Sequence, residues 1–118
     1  MRRRAPPRAA APVGDRRSPY TRRDVTILVE RRLTEVSERL KALRRDLAVS
    51  EEQLSHFVDE ADDARLRALA SETPLAQQEH REAQKHADAM QRHRLEVQTE
   101  IDQLERLQDE LLDRRLEG

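Results

Sequence analysis

Apolar residues recur along the chain at alternating steps of four and three: Val29, Leu33, Val36, Leu40, Leu43 and Leu47, then, past a serine at position 50, Leu54, Phe57, Ala61, Ala64 and Ala68. Steps that average about 3.5 residues place every member on one stripe of a helix, the seam of a coiled coil. The same steps resume through Ala76, His80, Ala83, Ala87, Met90, Arg94, Val97, Ile101, Leu104, Gln108, Leu111 and Arg115. Between the two runs lies Ser71-Glu72-Thr73-Pro74-Leu75, which holds the only proline between Tyr20 and Glu117, a span without glycine. Thr73 suits an N-cap and Pro74 a first helical residue, where a missing N–H costs nothing. The pattern predicts an all-α protein: a helix over about 22–71, a turn at 71–74 and a helix over about 75–117, folded into a long antiparallel coiled-coil hairpin.

The start of the first helix has its own signature in Tyr20-Thr21-Arg22-Arg23-Asp24-Val25. Thr21 is the expected N-cap, Asp24 the N3 acid of a capping box, and Tyr20 with Val25 a hydrophobic staple. A second capping box, Val49-Ser50-Glu51-Glu52-Gln53-Leu54, offers a break near Ser50 as the alternative to one continuous helix. The seam passes through Ser50 unshifted and no Gly or Pro supports a break, so the expectation is continuity. A chain folded at residue 72 sets seam position x opposite 144 − x. Leu33 then meets Leu111, Leu40 meets Leu104, Leu43 meets Ile101, Leu47 meets Val97 and Leu54 meets Met90. Phe57 falls opposite Ala87 and Ser50 opposite Arg94, large against small and polar against polar. Glu35 and Arg39 have the i,i+4 spacing of a helical ion pair.

The seam changes character along its length. Near the turn it is mostly alanine, which allows close approach but buries little area per layer, so the tip is expected to be the less stable end. At the open end apolar residues exceed one seam: Val25, Ile27 and Leu28 on the first helix, Leu107, Leu112 and Leu116 on the second. Two helices cannot cover all six. These residues predict a homo-oligomer, most simply a dimer that forms a four-helix bundle.

Composition fits this architecture and narrows the chemistry. At 118 residues the chain has room for one domain, 36% of it hydrophobic and 40% charged. Without cysteine it has no disulfide or thiolate chemistry. Residues 1–20 form an Arg-, Pro- and Ala-rich tail with four of the five prolines and no apolar periodicity, a composition expected to be disordered. Residues 1–23 carry eight Arg against one Asp, a charge of +7, while residues 24–118 carry 15 basic and 23 acidic residues, −8. Arg2, Arg3, Arg4, Arg8, Arg16, Arg17, Arg22 and Arg23 therefore read as an electrostatic arm for nucleic acid or another polyanion, the plainer reading being a solvated extension without a role. No run approaches the roughly 18 apolar residues of a membrane span, and no apolar signal core follows the basic start, so a cytoplasmic protein is expected. Arginine outnumbers lysine 21 to 2, which suggests a GC-rich, bacterial origin.

No motif of catalysis, phosphate binding or metal coordination is present, and the expectation is a non-enzymatic protein without cofactor. His56, His80, His86 and His93 are the only metal-ligand types besides carboxylates; His86 and His93 stand two turns apart, and His80 sits in the seam, where a polar layer sets register. One acidic run stands out, Asp59-Glu60-Ala61-Asp62-Asp63-Ala64. It resembles the Asp-x-x-Asp-x-Ala tip of the DksA-type factors, which insert a coiled-coil hairpin into the RNA polymerase secondary channel. The resemblance covers six residues, the cysteine zinc ribbon of those factors is missing, and the cluster would lie on the shaft, about ten residues before the turn. It implies a transcription regulator that presents Asp59, Glu60, Asp62 and Asp63 to polymerase; the other reading is a solvated acidic face. The reading taken is an interaction or scaffolding protein with a basic arm. A structural coiled coil for cell division or membrane-associated assembly, its arm on anionic lipid, is a third.

Overall fold

A computed structural model describes residues 21–117, which form two helices and the turn between them. The proposed Tyr20–Val25 staple and the tail at 1–20 lie outside the described residues. Helix α1 spans Arg22–Ser71 and helix α2 spans Pro74–Glu117. At 1.5 Å per residue, the 50 residues of α1 make a rod about 75 Å long.

Each end of α1 is set by a local bond. The Asp24 amide donates to Thr21 Oγ1 at 3.1 Å, and the Thr21 amide donates to Asp24 Oδ2 at 3.2 Å, a complete capping box. At the other end Glu72 adopts the left-handed conformation, φ 49° and ψ 30°, and its N–H returns to the Ala68 carbonyl at 3.0 Å. Thr73 then caps α2: its hydroxyl accepts the Ala76 amide at 3.1 Å, with Pro74 as the first helical residue. Arg114 and Arg115 occupy the last turn of α2, where cations oppose the negative end of the helix dipole. Between its caps α1 is unbroken, and Ser50 lies inside it. The Ser50 side chain is 1% exposed and donates to Asp46 Oδ1 at 3.2 Å, so the second capping box starts no new helix.

All twelve seam residues of α1 are buried or half-buried, as are eleven of the twelve on α2. The core joins Val29, Leu33, Val36, Leu40 and Leu43 to Val97, Ile101 and Leu111, with Leu47, Leu104, Leu107 and Leu112 packed against it. The exception is Arg115, which is exposed and donates to Glu30 Oε1 at 3.3 Å. Contacts across the seam fix the register. Glu30–Arg115 and Ser37–Gln108 have residue numbers that sum to 145 and Phe57–His86 to 143. Pairs on the two edges of the seam fall either side: Arg39–Glu100 and Asp46–His93 sum to 139, Arg44–Glu105 to 149. The centre is the fold at residue 72 that the spacing predicts.

The predicted Glu35–Arg39 pair does not form. Arg39 reaches across to Glu100, donating from Nε at 3.0 Å and Nη2 at 2.8 Å, and Glu35 accepts instead from Arg32 at 3.2 Å. Arg39 stands at the edge of the seam, so the antiparallel partner offers it a carboxylate with better geometry than the i−4 position does. Both side chains are about half exposed, and such pairs contribute about 0–1 kcal/mol. Ser50 likewise bonds within its own helix rather than to Arg94, and the polar layer is completed by His93, 3.4 Å from Asp46.

Candidate functional site

The surface left by this packing is rod-like, and its candidate sites are patches. Six arginines of the arm, Arg2, Arg3, Arg4, Arg8, Arg16 and Arg17, lie outside the described residues. Arg22 and Arg23 belong to the first turn of α1 and are exposed. Cations at a helix N-terminus face the positive end of the dipole, which disfavours them there and leaves their charge available to an anion.

The six apolar residues of the open end divide into two groups. Val25, Ile27 and Leu28 are 44–47% exposed and Leu116 is 83% exposed, while Leu107 and Leu112 pack partly against the core. The heptad places the exposed ones on both sides of the seam, Val25 and Leu28 on one flank, Ile27 and Leu116 on the other. Beside Ile27 and Leu116, a groove of about 290 Å³ opens between the helices, lined by Leu33, Thr34, Ser37, Gln108 and Leu112 among others. Ser37 stands at the edge of the seam, where its small side chain leaves one side of Leu112 uncovered. Leu95, half exposed in the middle of α2, is an apolar surface residue that seam spacing does not single out. It becomes visible only when positions off the seam are compared between helices.

The acidic run does not form one cluster. Asp59, Glu60, Asp62 and Asp63 are all exposed, and steps of about 100° around the helix turn them to different sides. Glu60 and Asp63 line a groove of about 610 Å³ with Arg67, Glu79, Glu82 and His86, and Asp59 and Asp62 are not among its lining residues. Glu60 also lies 3.6 Å from His56. Asp63 is nine residues before Glu72, about 13 Å down the shaft from the turn.

Two histidines flank Phe57 on this side of the seam: the His86 ring meets Phe57 edge-on at 5.9 Å and His56 lies 6.1 Å from it, while His93 contacts Asp46 two turns further along. Among the described residues no three His, Asp or Glu side chains converge as a metal site would require, and no helix is long and apolar enough to cross a membrane. No protein-family model, curated protein or solved structure matches the chain.

Proposed function

We propose that the protein is a non-enzymatic scaffold: a coiled-coil hairpin that self-associates through its flanks near the open end and carries an arginine-rich arm that tethers it to nucleic acid or another polyanion. The observation that carries this reading is the segregation of charge along the chain, together with exposed apolar residues at the end that bears the basic arm. Residues 1–23 hold a charge of +7 and the remainder −8, and the exposed Val25, Ile27, Leu28 and Leu116 lie at the end from which the arm departs. A basic arm on an acidic rod binds a polyanion by its own charge while the rod stands off from it, and releasing condensed counterions makes that binding steeply salt-dependent. Self-association multiplies the arms, so modest individual affinities combine.

The test is a titration of fluorescent duplex DNA, duplex RNA and heparin with the full chain and with a chain that starts at Thr21, which keeps the capping box of α1. The full chain is expected to bind with a log K that falls as salt rises, by a slope of up to about −5 for six phosphate contacts on B-DNA. The shortened chain is expected to lose at least tenfold in affinity. Equal binding by both chains, or none by either, contradicts the tether.

A further inference from the structure

We infer that two copies associate along the flank that carries Ile27 and Leu116, with α1 of each lying on α2 of the other and both tips pointing the same way. This rests on the self-association proposed above and specifies its face. Because the hairpin folds about residue 72, residues whose numbers sum to about 144 lie at the same height on the rod. One stripe of the flank runs through positions 27, 34, 41, 48, 55, 62 and 69 of α1, and its counterpart through 116, 109, 102, 95, 88, 81 and 74 of α2. A two-fold axis parallel to the rod keeps height and exchanges the helices, so each stripe meets the other helix's stripe in the second copy.

The facing pairs complement one another along the whole length. Ile27 meets Leu116 of the second copy, and Ala48 meets Leu95, whose half-exposed side chain has no covering within the hairpin. Lys41 meets Asp102 and Asp62 meets Arg81, opposite charges in both cases. No pair on this stripe joins like charges. The open groove beside Ser37 supplies a recess at the same end. Arg44 and Glu105, bonded at 3.0 Å within each hairpin, alternate in sign with their counterparts in the second copy. The opposite flank fails the same comparison: Glu35 would face Glu110, Asp63 would face Glu82, and the apolar Leu28 and Val49 would face Glu117 and Glu96. Like charges set directly opposite are the costly element in such a choice. A two-fold parallel to the rod sends both arms from one end, so a dimer grips a polyanion with two.

The chain has no cysteine, so disulfide trapping reads the geometry directly. Ala48→Cys and Leu95→Cys are made in separate chains and mixed under mild oxidation, beside a mixture of Val49→Cys and Glu96→Cys chains from the other flank. The first mixture is expected to give a crosslinked heterodimer and the second none. Crosslinking by the second mixture, or by neither while sedimentation equilibrium still reports a dimer, overturns the face and leaves self-association standing. A monomer at high micromolar concentration overturns both. As a check without cysteine, Lys41→Glu is expected to raise the dimer dissociation constant at least fivefold, and adding Asp102→Lys in the same chain to restore it. An unchanged constant for Lys41→Glu also overturns the face.

Discussion

Glu72 bears the one backbone strain among the described residues. Its φ of 49° is a conformation that glycine adopts freely and that costs another residue about 1 kcal/mol or more, and it closes α1 by returning an N–H to Ala68. Glu72→Gly is therefore expected to raise stability by about 0.5–1 kcal/mol, after the greater freedom of glycine in the unfolded chain is counted. Thr73→Ala, which removes the acceptor for the Ala76 amide, is expected to lower it by about 1 kcal/mol. Urea unfolding of both variants checks the pair, and a destabilised Glu72→Gly would mean that the turn is not left-handed there. At this scale the sequence was partly legible. Thr21, Asp24 and Thr73 announce the caps because each bonds within three residues of itself, and Pro74 because its missing N–H costs nothing at the first helical position. Glu35 and Arg39 mislead because the better partner of Arg39, Glu100, is 61 residues away and becomes a neighbour only after the fold has set the register. Ser50 shows a similar limit: its capping-box pattern is real, but a seam that passes through it unshifted keeps it helical and buried.

Between the caps, each helix is held by what its seam buries, and the two ends differ. The cluster from Val29 to Leu43 against Val97 to Leu111 consists of large aliphatic side chains, whereas buried residues toward the turn are Ala61, Ala64 and Ala87. A buried leucine removes far more apolar surface from water than a buried alanine does, at about 25 cal/mol per Å². Leu40→Ala is thus expected to cost about 2–5 kcal/mol and Ala64→Gly only about 1 kcal/mol, chiefly through helix propensity. Native-state hydrogen exchange should show the same gradient, with amides near Leu40 and Ile101 opening only by global unfolding and those of 61–83 by local opening. Uniform protection along both helices would contradict it. Helix lengths were readable in the spacing, and register in the spacing taken together with the Thr73-Pro74 helix start, because a two-helix seam leaves few alternatives. The dispersal of Asp59, Glu60, Asp62 and Asp63 was readable from the same heptad, yet a six-residue motif taken as a string hides the rotation about the helix that separates its members.

For the whole molecule, shape follows from one turn in 97 described residues, and every surface assigned here depends on where that turn falls. The arm leaves from the open end because residue 72 is the fold, and the facing pairs of the proposed dimer are complementary only in that register. A shift by whole heptads would keep both seams in phase, so periodicity alone does not choose among such folds; Thr73-Pro74 and the cross-seam pairs Arg39–Glu100 and Arg44–Glu105 do. Function was less legible than form. Arginine content points to a class of partner but not to a member of it, since phosphate contacts carry no sequence information.

The measurement that tests the fold most directly is a pulsed electron–electron resonance distance between nitroxides on Arg45→Cys and Thr99→Cys, diluted with unlabelled chain so that only distances within one copy are read. Both positions are exposed, face away from the seam and lie at equal height. The hairpin predicts a single narrow distance of about 20–25 Å, the width of two packed helices with their side chains. A distance near 80 Å, the span of 54 residues in one continuous helix, would contradict the fold about residue 72 and with it every surface derived from that register.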